Sequence, residues 1–348
     1  MSSLSIGVSG INATDNPGPG VAVALSLKSS SKSTKLIGLS YDVHDPGNYM
    51  IDLFDNSYLL PYPSKGWGGI KTTLKRIKEQ DGLDVLVPCL DVEIPIMMKY
   101  QNELESMGVA TLLPTPSQFE LRSKDQLPDL VKKIGCLHPK TFIVSSIDEL
   151  VQVLRTRAYL PVVVKGKYYK AYIVHNLESA VFRGSEIAAE WGFPLLVQEK
   201  VDGQEINLIG LSNKNGEIMG HVSIKKQLTT QLGKVWTAVT IRDQKLDDLC
   251  KRFCKLTQWQ GPFELECIIN SNGIYLIEIN PRFPAWVYFA TGVGINLPDM
   301  LVKIIQGKDP EPVFEYPLGK YLVRYSTEFI SDLSYFQNLL VAHNRNGL

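Results

Sequence analysis

Apolar and polar positions alternate along residues 263–280, and the alternation breaks at "SNG". Phe263, Leu265, Cys267, Ile269, Tyr275, Ile277 and Ile279 are apolar. Between them stand Glu264, Glu266, Asn270, Glu278 and Asn280, with Ile268 and Leu276 interspersed. Side chains of a strand alternate faces, so this pattern predicts a hairpin with one core face and one polar-bearing face. Keeping the apolar faces together requires opposed residues of matching parity. A two-residue Asn-Gly turn would set Glu266 against Ile279. A three-residue Ser271-Asn272-Gly273 loop sets Glu266 against Glu278, with Gly273 in the left-handed position such loops need.

Elsewhere the pattern alternates strand and helix. "LSIGVSG", "KLIGLSY", "LDVLVPCL" and "VATLLP" read as strands. "GVAVALSLK" and "PIMMKYQNELESMG", the latter ending at Gly108, read as helices. This βαβ rhythm predicts a parallel sheet with helices on both faces. Ligands of such sheets sit at the carboxyl ends of the strands, where "INATDNPGPG" falls. That loop lacks G-x-G-x-x-G, and its prolines remove backbone donors, so a dinucleotide-dependent oxidoreductase is a minor alternative. The loop reads as a turn opening the first helix or as a lining of the substrate pocket. "TPSQFELRSKDQLPDLVKKIG" reads as a linker entering a helix with Ser123 as N-cap. "LPVVVKGKYYKAYIV" predicts two strands, and "LESAVFRGSEIAAEWG" a helix closed by Gly192. "PLLVQEKVDGQEINLIGL", "IMGHVSIKK" and "VWTAVTI" predict further strands. "KLDDLCKRFCKL" predicts a helix with Leu246, Leu249, Cys250, Phe253 and Leu256 on one stripe.

Composition narrows the function classes. The 348 residues carry 36 Lys and Arg against 36 Asp and Glu, so no global field favours nucleic acid or an anionic membrane. Apolar runs such as "LPVVVK" are too short to span a bilayer. "MSSLSIGVSG" lacks the features of a secretory signal. The five cysteines are scattered, with no paired C-x-x-C set, so a structural zinc site is not expected and a reducing cytoplasm is.

The hairpin is the informative segment. Carboxylates on Glu266 and Glu278, with Cβ atoms roughly 4.5–5.5 Å apart, repel unless a cation intervenes or one takes a proton. Asn280 adds a neutral oxygen. Such an all-oxygen set suits a hard cation such as Mg²⁺, which prefers few protein ligands together with phosphate oxygens. A nucleotide is thereby implied.

At "FELECIINSNGIYLIEINPR" the chain resembles the ATP-grasp superfamily, in its branch with biotin carboxylase and carbamoyl-phosphate synthase. That family closes its ATP site with a Glu on one strand and Glu-x-Asn-x-Arg on the next, here Glu266 and Glu278, Asn280, Arg282. The resemblance extends from the N-terminal βαβ region to about residue 305. It implies an α/β architecture, α+β toward the C-terminus: a Rossmann-like pre-ATP-grasp domain over 1–113, a small ATP-grasp subdomain over 114–190, and a C-terminal subdomain over 191–348 carrying the metal hairpin. ATP would lie between two sheet subdomains, with Mg²⁺ or Mn²⁺. By position in the family's order, Lys124 and Lys165 would contact ATP phosphate. Glu199, Lys200 and Val201 would run along adenine, and Glu205 would reach the ribose. Alternation lets one of Lys225 and Lys226 face the phosphates, and Lys225 is the expectation. Glu266, Glu278 and Asn280 would hold the metal. Arg282 would steer a carboxylate through its paired donors, with Arg324 as a second substrate arginine. Phe283, Trp286 and Tyr288 read as packing aromatics rather than a pocket. One departure stands out. The family's Gly- and Ser-rich flap is here "GKYYKAY", so either Lys167 and Lys170 replace backbone donors or phosphate closure is weaker.

The implied activity is an ADP-forming carboxylate–amine ligase that passes through an acyl phosphate. Its substrates would be a small-molecule or peptide carboxylate and an amine, an amino acid or peptide terminus foremost. No nucleic-acid or membrane partner is expected, and a homodimer is compatible with the architecture. The alternative is a nucleotide-binding regulatory protein without ligase turnover.

Overall fold

Every residue of the first strand, β1 (Ser5–Ser9), is buried, as expected for the centre of a parallel sheet covered on both faces. β2 (Lys35–Ser40), β3 (Asn56–Leu59) and β4 (Val85–Val87) complete a parallel sheet in the order β3-β2-β1-β4. The computed structural model describes residues 4–347 apart from 15, 32, 124, 125, 167–169, 231 and 232. The chain folds into two compact units. One comprises Met1–Leu130, Ile206–Glu266 and Glu278–Leu348; the other comprises Val131–Glu205 and Cys267–Ile277. These units do not follow the sequence boundaries at 113 and 190, because the chain re-enters the first unit at Ile206 and the tip of the 261–280 hairpin belongs to the second.

In the first unit the "NPGPG" stretch is a tight turn into the helix Gly20–Ser30. The Gly18 and Gly20 amides donate to Asn12 O (2.8 Å) and Gly10 O (2.9 Å). A Cβ at Gly20 would lie 2.1 Å from Ser9 O, so the glycine is required by close approach of two backbones. Val23, Ala24 and Leu27 of that helix share a core with Val287, Ala290 and Leu301. Thr291 Oγ1 donates to Ser26 Oγ at 2.8 Å.

Three expectations change here. "VATLLP" supplies only a bridge between Ala110 and Val85, because Pro114 and Pro116 follow and the chain enters a capping box in which the Gln118 amide donates to Thr115 Oγ1. The long helix divides into Ile94–Lys99 and Gln101–Ser106, where Tyr100 leaves helical geometry and its ring stacks on Trp67 with centroids 4.9 Å apart. Ser123 Oγ is buried without a hydrogen-bond partner and caps nothing.

The 343–345 segment runs along the outer edge of β3. Leu59 N donates to His343 O (3.0 Å) and Arg345 N to Ser57 O (2.8 Å). The Arg345 guanidinium, 3% exposed as a residue, donates to the carbonyls of Phe54 and Asp55, both at 2.7 Å.

In the second unit, β5 (Thr141–Val144), β6 (Val162–Gly166), β7 (Ala171–Val174) and β8 (Leu195–Glu199) form an antiparallel sheet in the order β5-β8-β6-β7. Two helices pack on it, burying Leu150, Ala180 and Ile187 with Val162, Val164, Leu195 and Val197. They are Ile147–Thr156, capped by Ser146, and Leu177–Trp191, capped by Asn176 and closed by Gly192 at φ 75°.

A third sheet has the order β13-β12-β9-β10-β11-β14. Its strands are β9 (Gln204–Ser212), β10 (Ile218–Thr229), β11 (Val235–Ile241), β12 (Gly261–Asn270), β13 (Gly273–Asn280) and β14 (Tyr321–Val323). Gly210 of β9 faces Phe263 of β12: a Cβ there would lie 2.3 Å from the ring. The hairpin between β12 and β13 leaves Ser271 and Asn272 outside the strands, and Gly273 is already in strand at φ 140°. The connection is therefore one residue shorter than expected. Asn270 Oδ1 accepts from Asn272 N at 2.9 Å, a side-chain turn that takes over part of the loop's work. The helix Gln244–Thr257 buries Leu246, Leu249, Cys250 and Phe253, but the stripe continues through Cys254, and Leu256 is 49% exposed. No helix among the described residues is long and apolar enough to cross a membrane.

Candidate active site

The candidate site residues fall into two groups, one in each unit. In the second unit the edge of β8, the turn after it and the hairpin tip enclose a cavity of about 380 Å³. Lys165, Glu199, Lys200, Val201 and Glu205 all line it, so the structure brings five of the expected nucleotide residues together. Val163, Ile173, Ile268 and Ile277 supply an apolar wall suited to a flat aromatic base. Main-chain bonding fixes the edge: Glu199 N donates to Lys140 O at 2.8 Å, and the Glu199 carboxylate accepts from Lys140 N at 3.1 Å. The ammonium of Lys200 is held by Asp202. Burial keeps His138 more acidic than an ordinary histidine, and the positive charge of Lys165 adds to this. Lys170, a proposed substitute for the flap, instead pairs with Glu186 (3.6 Å) and Glu190 of the Leu177–Trp191 helix. Lys124 and Lys167 lie outside the described residues.

In the first unit the polar face of the hairpin builds a network around Glu264. This carboxylate is 3% exposed. It accepts from Asn207 Nδ2 (2.6 Å), Trp286 Nε1 (2.7 Å) and Asn280 Nδ2 (3.0 Å). Asn280 Nδ2 also donates to Glu266 at 3.0 Å, which ties the two carboxylates together. Burial, then the neighbouring Glu266 charge, pushes the Glu264 carboxyl above the usual range despite these donors and Arg282. Glu266 goes the other way. Burial would raise it, but the Lys226 ammonium at 3.0 Å outweighs that, helped by Arg282 and the Asn280 amide. One face of β12 thus holds a carboxyl that keeps a proton readily and one that gives it up.

Lys226, rather than Lys225, makes this ion pair, so the alternation of β10 resolves in favour of the residue not expected. Glu278 is exposed near the end of β13. Arg282, two residues past Asn280, donates Nε to Asp91 Oδ2 (2.8 Å) and an amino group to Asn280 Oδ1 (3.4 Å). Asp91 also accepts from Arg122 at 3.2 Å. The two guanidiniums overcome burial and hold its carboxyl below the usual range. The loop carrying Asp91 is fixed from beneath by Glu93, which is fully buried and accepts from Cys89 N (2.7 Å), Leu90 N (2.8 Å), Tyr41 OH (2.6 Å) and the Ser9 hydroxyl. Arg324 donates to Ala285 O.

Sequence reasoning missed Asp91 and Arg122, and gave Glu264 no role. Glu264 had a signal, since it shares the alternating face with Glu266. Asp91 had none, because its partner stands 191 positions later. Trp286 is buried as a packing aromatic would be, yet its N–H serves Glu264. Phe283 is buried, and Tyr288 is 43% exposed.

The fit of a divalent cation follows from the donor set. Glu266, Glu278 and Asn280 offer oxygen donors only, as Mg²⁺ prefers. Among the described residues no group of three His, Cys, Asp or Glu side chains forms a complete metal cage. Asn280 meets Glu266 through its nitrogen, and so orients that carboxylate.

Comparison with known proteins adds relatives of the fold. The structure superposes on the biotin carboxylase domain dimer of Hydrogenobacter thermophilus 2-oxoglutarate carboxylase, in complex with MgADP, ADP and bicarbonate. The TM-score is 0.68 and the identity 16%, over 92% of this chain and 74% of the other. It superposes also on an L-amino acid ligase from Bacillus licheniformis, with a TM-score of 0.63 and 13% identity over 88% and 75%. The fold is therefore the ATP-grasp fold that these neighbours share. Residues 193–329 match the family described as ATP-grasp in the biosynthetic pathway with Ter operon. In sequence the chain is 23% identical over 248 residues to the carbamoyl phosphate synthase large chain of Saccharolobus islandicus (strain L.S.2.15 / Lassen #1), covering 66% of this chain. It spans less than a quarter, 23%, of that relative's length.

Proposed function

We propose that the protein is an ATP-dependent ligase that activates a carboxylate as an acyl phosphate and joins it to an amine, the substrates being amino acids or peptides. The observation that carries this reading is the network Lys226–Glu266–Asn280–Arg282–Asp91, in which metal donors and a carboxylate-binding guanidinium are held in one hydrogen-bonded chain. The cavity with Glu199, Lys200, Val201 and Glu205 takes the adenosine, and Lys165, which lines the same cavity, serves its phosphates. Mg²⁺ held by Glu266 and Glu278, with Asn280, would supply charge neutralisation at the transferring phosphate.

Arg282 orients the acid so that its carboxylate oxygen attacks the γ-phosphorus and ADP leaves. The nitrogen of the amine then attacks the acyl carbon, the acyl–oxygen bond breaks and inorganic phosphate departs. The amine proton goes to solvent or to a nearby base. Neither step calls for a protein nucleophile. Family likeness to both a carboxylase and an amino acid ligase supports an ATP-dependent ligase, and the arginine supports a carboxylate as acceptor.

The test is ADP release with ATP and Mg²⁺ from mixtures of amino acids and small peptides, with mass spectrometry of the products. A condensed product and an acid- and amine-dependent rise in ADP, both lost in Glu278→Ala, are expected. ATP binding with no acid–amine pair raising ADP above background would replace this reading with that of a nucleotide-binding regulator.

A further inference from the structure

Four cations gather in the first unit around the loop that follows β13. Two have a carboxylate partner: Arg282 and Arg122 share Asp91. The other two have no carboxylate partner among the described residues. Lys234 Nζ rests on the carbonyls of Pro17 (2.8 Å) and Asn16 (3.4 Å). Arg324 donates one amino group to Ala285 O, and its Nε is buried with no partner. Asn16 Oδ1, in the same loop as the carbonyls that hold Lys234, is also buried and unpartnered.

The frame brings these two cations side by side. Lys234 directly precedes β11 and Arg324 directly follows β14; the strands pair antiparallel with Thr237 opposite Val323, and Arg324 N donates to Trp236 O at 3.1 Å. Burial, then the charges of Arg282 and Arg324, pushes the Lys234 ammonium down to about 8, with Asp91 and Glu264 only partly offsetting this. Burying a cation against neutral carbonyls is unfavourable unless an anion completes the site. A half-buried pair of cations framed by two paired strands beside a proposed carboxylate handle, with no carboxylate partner among the described residues, is an anion site awaiting its ligand.

We propose that Lys234 and Arg324 form a subsite for a second anionic group on the acid substrate, a carboxylate or a phosphate, so that the acid is a dianion. This rests on the ligase reading, in which Arg282 takes the carboxylate that is activated. The loop 16–17 then acts as a rest for Lys234 in the free protein, and the incoming anion replaces its carbonyls as the acceptor.

The experiment is calorimetric binding to the full chain with ADP and Mg²⁺ present, using matched pairs: succinate against butyrate, L-glutamate against L-norvaline, 3-phosphoglycerate against glycerate. At least one acid with two anionic groups should bind about tenfold to a hundredfold tighter than its partner lacking the second, as charge-assisted hydrogen bonds lost with that group would dictate. The carboxylate pairs and the phosphate pair separate the two sources. Lys234→Met and Arg324→Met should each abolish the preference, and Lys234→Arg should keep it. Because an uncompensated buried cation is being removed, Lys234→Met should melt at the same temperature as the parent or higher. Equal binding of dianion and monoanion in every pair would overturn the subsite, as would a preference that survives both Met variants. A dianion preference without any ADP release would uphold the subsite and sink the ligase reading instead.

Discussion

Asp91→Asn is the most informative single substitution in the first unit. Asn preserves the shape and one acceptor oxygen, but removes the charge that Arg282 and Arg122 share at 2.8 and 3.2 Å. The side chains of Asp91 and Arg282 are 28% and 16% exposed, so the cluster is neither surface nor core. Exposed pairs are worth about 0.2–1 kcal/mol, whereas breaking a buried pair costs about 3–5 kcal/mol. An intermediate loss of about 2 kcal/mol follows, or roughly thirtyfold in the folding equilibrium at 1.4 kcal/mol per decade. Urea denaturation would read this as a lower midpoint at unchanged slope. The pH dependence gives a second signature. Asp91 is held below its usual range in the folded chain, so its contribution is present above the unfolded carboxylate pKa of about 3.9 and is lost as pH falls through the lower folded value. The Asn variant should therefore lose less stability than the parent on acidification below about pH 4. With a substrate pair in hand, KM for the acid should rise, because Arg282 is no longer aimed. A change under about 0.5 kcal/mol together with an unchanged KM would refute the argument, since it would mean that Asn280 and the Phe283 carbonyl position Arg282 unaided.

Three further outcomes are expected. Glu264→Gln should destabilise by about 1–3 kcal/mol, because an amide cannot accept from Asn207, Trp286 and Asn280 together. Since the Glu264 carboxyl is raised in the folded state, its contribution to stability is greatest below about pH 4.3 and declines as pH rises through the folded value; chemical denaturation across pH should show that decline flattened in the Gln variant. Lys226→Met removes the charge that keeps Glu266 ionised, so the acid limb of the ADP-release profile should move to higher pH; an unmoved limb would show that Glu266 is not the group titrating. Gly210→Ala should lower the melting temperature by an amount equivalent to about 1–3 kcal/mol or more, because the Phe263 ring, fully buried, has no room to retreat.

The βαβ opening, the hairpin and most helices were legible in the sequence because each has a local period. Leu246, Leu249, Cys250 and Phe253 mark their helix by spacing alone, and all are fully buried. Where prediction erred, a non-local partner or a proline intervened. The "VATLLP" run has strand composition, yet two prolines end its pairing after a single bridge. Lys225 and Lys226 differ by one step of alternation, and only the position of Glu266 on another strand distinguishes them. Glu199, Lys200, Val201 and Glu205 were legible through the resemblance's order of elements, and they line one cavity because a strand and its following turn keep neighbours in sequence close in space. Asp91, Arg122 and Lys234 come from separate elements, and their chemistry arises only when the chain has folded.

The seam along β3 has a consequence during synthesis. β3 forms from residues 56–59, yet the groups that satisfy its outer edge, His343 O and Arg345 N, are made almost three hundred residues later. At about 5–20 residues per second the edge stays uncovered for roughly 15–60 seconds. Throughout that interval the nascent first sheet presents an open hydrogen-bonding rim, the surface on which strands of other molecules can add. Truncation before His343 would make this transient hazard permanent, so shortened chains should be recovered as aggregates even where every site residue is retained.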